Sequence, residues 1–172
     1  FSEDEGEDSL ARAAEELLDA GDRASASEAE TLVGELRWIE GDRDRAFEHF
    51  EGAAKLMEDE PPSRSKAYVL GNLSRFLMTA DEAERSIAIG FEAFEMAQEL
   101  GLEDVEANVL STIGVARVMI GDLGGRVDLE RAVPALAARA GLAPFEQVVG
   151  EEFDMSLDPS GGGRVGRLRR RG

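Results

Sequence analysis

The stretch IEGDRDRAFEHF, residues 39 to 50, gathers acids, arginines and the single histidine of the chain. Glu48 beside His49 has the composition of an acid-base pair, and the Glu-Gly-Asp-x-Asp run over 40 to 44 has that of an oxygen-donor metal loop. Each chemistry needs more than it finds. One histidine with no neighbouring Ser, Cys or second His makes neither a catalytic triad nor a zinc site. Asp42 and Asp44 lack the further oxygen ligands and the central glycine of a calcium loop. The simpler expectation is that Asp42 caps a helix, offering its carboxylate to the free N–H groups of the first turn. His49 and Glu48 then lie on the following helix, in packing or in solvent. The chain is expected to hold no catalytic residue, no metal and no cofactor, and so to be no enzyme.

The positioning elements emerge from the spacing of breaks. Positions 21, 41, 61, 81, 101, 121 and 141 hold Gly21, Gly41, Pro61, Asp81, Gly101, Gly121 and Gly141. With 19 glycines in 172 residues, seven arbitrary positions would hold fewer than one, so these five mark a regular interruption. Between the breaks, Ala, Leu, Glu and Arg dominate, with apolar residues three and four apart, the amphipathic helix pattern. Glycine ends a helix in the left-handed region and a following Asp caps the next one, as in Gly21-Asp22, Gly41-Asp42 and Gly121-Asp122. Ser25 with Glu28 reads as a capping box, and Pro61-Pro62-Ser63 halts one helix before Ser63 starts another.

An offset of 40 separates the helices into two kinds. First helices align Val33/Leu73/Ile113, Gly34/Ser74/Gly114 and Trp38/Met78/Val118; second helices align Leu10/Phe50/Gly90 and Ala13/Ala53/Ala93. Gly34 and Gly114 each give up about 1 kcal/mol of helix propensity relative to Ala, which close helix packing would offset. The pattern predicts helices near 9 to 20, 24 to 40, 43 to 58, 63 to 79, 81 to 100, 103 to 120 and 126 to 140. The expected fold is all-α, a right-handed superhelix of stacked antiparallel helical hairpins with a period of about 40 residues. Residues 1 to 8 form an acidic disordered start, and 9 to 140 an array that opens on the second helix of a truncated repeat. Residues 141 to 155 form a partial helix and 156 to 172 a disordered Gly/Arg tail.

Charge bounds the partners. Residues 1 to 130 carry 12 Lys+Arg against 32 Asp+Glu, and residues 131 to 172 carry 7 against 5. An acidic main body argues against nucleic acid, whose phosphates need a basic surface. No run approaches the roughly 20 apolar residues of a membrane span. The absence of cysteine suits a reducing cytoplasm.

A hairpin with Gly34 in its first helix, Gly41 at its turn and Ala46, Phe50 and Ala53 in its second resembles the tetratricopeptide repeat. Residues 67 to 100 match through Ser74, Asp81, Ser86 and Ala93, and residues 107 to 140 through Gly114, Gly121 and Ala132 after a one-residue adjustment. Two features depart from that family. The period exceeds the usual one of about 34 residues, and Arg37, Leu77 and Arg117 replace the first-helix aromatic. The wording ELRWIEGDRDRAFEHFEGA, PPSRSKAYVLGNLSRFLM and NVLSTIGVARVMIGDLGG is similar to C-terminal arrays of bacterial regulators, notably class III nucleotide cyclases and transcription factors with a signalling ATPase.

The resemblance implies a non-catalytic protein-protein interaction or scaffold module, a fragment of such a regulator. Its partner would be a protein, a peptide or an adjacent domain of the same parent chain. Inward-facing first-helix positions carried over from the family are Glu28, Thr31, Glu35 and Trp38, then Tyr68, Gly71, Arg75 and Met78, then Asn108, Ser111 and Val115, with Asn72 beside them. Glu28, Glu35 and Arg75 suggest a partner with basic and polar residues and an apolar anchor near Trp38 or Tyr68. The alternative is an effector-sensing domain that binds a small molecule around Tyr68, Asn72 and Asn108 and regulates an upstream ATPase or cyclase. Leu10, Ala14, Leu17 and Leu18, without a first helix of their own, suggest self-association through the N-terminal repeat face.

Overall fold

The computed structural model describes the backbone of residues 3 to 141 and the side chains of residues 9 to 141. The partial helix expected up to 155 and the Gly/Arg tail from 156 lie outside the described residues. The chain divides into two compact units, Phe1–Leu136 and Ala137–Gly172.

All regular structure among the described residues is helical: α1 Glu3–Asp19, α2 Arg23–Glu40, α3 Arg43–Leu56, α4 Arg64–Thr79, α5 Ala83–Glu99, α6 Glu103–Met119 and α7 Gly124–Arg139. The boundaries fall within a few residues of expectation, except that α1 starts at Glu3, inside the acidic segment expected to be disordered. Acidic residues favour such a start, because they complement the partial positive charge at a helix N-terminus.

The breaks work as their chemistry requires. Gly21, Gly41, Gly101, Gly121 and Gly141 all have positive φ, and Asp81 joins them at 64°. At Gly41 the left-handed turn sends its N–H to the carbonyl of Trp38, while the Asp42 N–H reaches that of Arg37. Asp42 then caps α3 by accepting the Arg45 N–H at 3.3 Å, and Ser63 caps α4 by accepting the Lys66 N–H at 3.2 Å. The capping box expected from Ser25 and Glu28 does not form. Asp22 caps α2 instead and accepts the Ser25 N–H at 3.0 Å, because the chain leaves Gly21 already turned for α2 and Ser25 falls inside the helix. Glu28 is thereby released to bond elsewhere.

Neighbouring helices in the chain pack on one another from α1 through α6, and two pairings skip an element: α2 lies on α4, and α4 on α6. The small residues repeated at Gly34, Ser74 and Gly114 are where the members of each hairpin approach. A Cβ on Gly34 would come within 2.6 Å of the Phe50 ring, and one on Gly114 within 2.8 Å of the Gly125 carbonyl oxygen. Ser74, fully buried, donates its hydroxyl to the Ser86 carbonyl at 2.9 Å. Close packing thus offsets the weak helix propensity of glycine at these positions.

The core between the first two hairpins is aromatic. Phe50 stacks on Phe76 at 4.2 Å, and Ala46, Leu73 and Leu77 close around them. Between α5 and α6 it becomes mainly aliphatic, with Ala93, Val109 and Ile113 beside Phe94 in one cluster.

Candidate interaction face

Helical periodicity places residues 28, 32, 35 and 39 on one stripe of α2. Positions 40 residues on give Tyr68, Asn72, Arg75 and Thr79 on α4, and a second step gives Asn108, Thr112, Val115 and Met119 on α6. Because α2 lies on α4 and α4 on α6, these stripes sit side by side, and side chains of opposite charge meet across them.

Arg75 donates to the Glu35 carboxylate at 2.7 Å and to the Asn72 side-chain carbonyl at 2.8 Å, while Asn72 donates to the Tyr68 backbone carbonyl at 3.0 Å. Ser65 donates to the Glu28 carboxylate at 2.6 Å. Arg64 grips Asp104 with both guanidinium arms, at 3.2 and 2.5 Å. The pairing holds the Asp104 carboxyl below its ordinary range, chiefly through the hydrogen bond from Arg64. Tyr68 is pushed above the ordinary phenol range, first by burial and then by the Glu35 charge, with the Asn72 side chain and the Arg75 charge pulling the other way.

The expected site residues therefore divide. Glu35, Tyr68, Asn72 and Arg75 form one connected group across α2 and α4, and Glu28 ties the same helices together nearer their starts. Asn108 and Ser111 do not join it: Asn108 donates to the Asp104 backbone carbonyl and Ser111 to that of Asn108. Thr31, expected to face inward, is buried and donates to the Ser27 carbonyl at 2.9 Å. Gly71 is occupied as well, since a Cβ there would meet Val109 at 2.8 Å.

Trp38 is a packing residue. Its ring lies 4.9 Å from that of Phe76 and 6.0 Å from that of Phe47, with the Arg43 guanidinium 3.5 Å over its face. The Glu28 and Glu35 charges are also less available to a partner than their types suggest, because each already has an acceptor role between helices. Arg75 and Glu35 are 48% and 29% exposed, so their pairing is worth less than about 1 kcal/mol of stability and acts mainly to set register.

His49, the chain's one imidazole, turns away from Glu48. Its Nδ1 lies 2.7 Å from the Glu30 carboxylate on α2, joining the two helices of the first hairpin. Glu48 is exposed and has no part in that pair. Among the described residues, no group of three or more His, Asp or Glu side chains converges as a metal site would require.

No protein-family model matches the sequence, and no curated protein does. The face is thus described by its own geometry. Sequence reasoning missed Arg64, Ser65, Asp104 and Glu30. The usable signal for Arg64 with Asp104, as for Glu35 with Arg75, was opposite charge at a spacing of 40 residues. Among the described residues no helix is long and apolar enough to cross a membrane.

Proposed function

We propose that this chain is a non-catalytic interaction module, a tetratricopeptide-like stack of hairpins whose first helices hold an extended peptide or another domain along the face built by α2, α4 and α6. The observation that carries the reading is the register of that face. Glu35–Arg75 and Arg64–Asp104 each span 40 residues and align consecutive first helices, so their exposed stripes present one continuous surface rather than three separate ones. Internal pairing of the charges changes the expected partner. Recognition rests on Tyr68, Asn72 and the exposed Leu32 and Ile39, which suit a partner with apolar side chains and backbone groups to bond. The chain's wording, similar to repeat arrays of bacterial signalling regulators, supports a role within a larger regulatory protein.

The test begins with a displayed random-peptide library selected on the immobilised full chain. Affinities of the selected peptides are then measured for Tyr68→Ala and Asn72→Ala, with Glu95→Ala on α5 as the control. Loss of a buried aromatic anchor costs about 2 kcal/mol or more, roughly thirtyfold in affinity. The reading expects that loss for Tyr68→Ala and none for Glu95→Ala. Peptides that follow Glu95→Ala and ignore both first-helix changes would reject the face.

A further inference from the structure

Three helices carry a corresponding stripe at a spacing of 40 residues: Leu10, Ala13 and Leu17 on α1, Phe50, Ala53 and Met57 along α3, and Gly90, Ala93 and Ala97 on α5. Residues three and seven apart lie along one side of a helix, so each set is a single strip of surface. On α3 and α5 the strip is closed. Phe50, Ala53, Met57, Ala93 and Ala97 are at most 2% exposed, and Gly90 is buried. On α1 the strip is open, with Leu10, Ala13 and Leu17 each half-buried.

The preceding helix makes the difference. A Cβ on Gly34 of α2 would come within 2.6 Å of the Phe50 ring, and a Cβ on Gly90 within 2.8 Å of the Ser74 hydroxyl of α4. The following helix covers the other side, α4 on α3 and α6 on α5. For α1 that second cover is α2, and no described helix precedes it.

Shape and charge define what fits the open side. Leu10 corresponds to Phe50, so a helix crossing it needs a residue there as small as Gly34 or Ser74. Residues 3 to 19 carry eight Asp+Glu against Arg12, a net charge of -7. Two such helices repel one another, whereas a basic helix is drawn in.

We infer that the open side of α1 is a docking site for a basic amphipathic helix of a partner protein, lying along Leu10, Ala13 and Leu17 with glycine or serine opposite Leu10. Helix-in-groove recognition of this kind reads a stripe of apolar anchors. The site uses no residue of the first-helix face, so either can fail alone.

The chain's own α4 supplies the probe. A synthetic peptide of residues 63 to 80 carries Arg64, Lys66 and Arg75 with no acid, and has Ser74 among its apolar residues. Its binding to the full chain is measured by calorimetry, and hydrogen–deuterium exchange of the chain is followed with and without it. Added protection over residues 9 to 20 is expected, with affinity falling as salt screens the attraction. Leu10→Gln and Leu17→Gln, which leave the charge unchanged, are each expected to weaken binding at least tenfold while keeping the helical circular dichroism of the wild type. Leu123→Gln, at a position 81% exposed in the turn before α7, is the control and binds as the wild type does. Ser74→Phe in the peptide should also lose at least tenfold. Equal binding of a scrambled peptide of the same composition would leave charge alone and overturn the inference. So would protection that spares α1, affinity indifferent to both α1 changes, or a wild-type dimer that Leu17→Gln dissociates.

Discussion

The second and third hairpins share a sequence register and differ in what covers them. In α4, Leu77 is fully buried, and in α5 Ala83 and Phe94 are 6% and 8% exposed. Forty residues on, Leu77 becomes Arg117 and Ala83 becomes Leu123, 81% exposed; with the one-residue adjustment Phe94 becomes Val133, 53% exposed. The second hairpin has α2 and α3 on one side and α6 on the other, so its apolar side chains are enclosed from both. Nothing comparable lies over the outer side chains of α7 among the described residues. Equivalent sequence positions therefore do not fix burial; the neighbouring helices decide whether a side chain is covered.

The largest test of that contrast is the cost of removing apolar bulk. Leu77→Ala should destabilise the chain by about 2–5 kcal/mol, as expected for truncating an enclosed leucine. Val133→Ala should change it by no more than about 0.5 kcal/mol, like other exposed substitutions. Urea unfolding followed by far-UV circular dichroism measures both, and equal costs would erase the distinction.

The small residues sharpen it next. Gly114→Ala presses a methyl group toward a backbone oxygen that cannot move aside and should cost about 1–3 kcal/mol, although an open helical glycine gains about 1 kcal/mol from the same change. Gly52, where an added methyl group would meet nothing within 4 Å, should show that gain. Ser74→Ala in the second hairpin adds no bulk and should cost about 1 kcal/mol for its lost hydrogen bond to Ser86. A stabilising Gly114→Ala would mean that α6 and α7 are less closely packed than described.

A smaller effect, on carboxylates of the third hairpin, depends on pH. Asp104 is held below its ordinary range by its Arg64 hydrogen bond, and Asp122 by the hydrogen bond from Arg117 and then by the Gly124 N–H. Lowered carboxylate values contribute stability that is present above the unfolded value, about pH 4, and is lost as pH falls through the folded one. Thermal unfolding across an acid series should therefore show the midpoint falling below about pH 4, and Asp104→Asn and Asp122→Asn should each flatten that fall. Arg117 also holds the buried Asp128 at 2.5 Å, so Arg117→Ala should destabilise the third hairpin where Leu77 secures the second.

The smallest effect is local to Tyr68. It is the chain's only tyrosine, so phenolate absorbance reads it alone. Its titration midpoint should lie above about 10 in the folded chain and return there in denaturant. The stability linked to its raised value is present below about pH 10 and is lost as pH rises through the folded value. Tyr68→Phe should remove that alkaline loss.

Much of this was legible in the sequence because turns and close approaches depend on residue type at fixed spacing. Gly41 with Asp42 announces the end of one helix and the cap of the next, and the Gly34/Ser74/Gly114 row announces three close approaches. The face was less legible, because a side chain's partner lies on another helix. Glu28 looked like half of a capping box until Ser65 came beside it, and His49 looked like the neighbour of Glu48 until the hairpin brought Glu30 to it. Trp38 looked like a groove anchor, yet the ring it rests on, Phe76, is thirty-eight residues away. Spacing alone does not reveal which of two flanking helices takes up an aromatic side chain.

Hydrogen–deuterium exchange of the full chain, with and without a selected peptide bound, tests the interaction face most directly. The account predicts added protection in α2 and α4 around residues 32 to 39 and 68 to 75, with α3 and the outer side of α5 unchanged. Protection confined to α3 and α5, with the first helices exchanging as in the free chain, would contradict it.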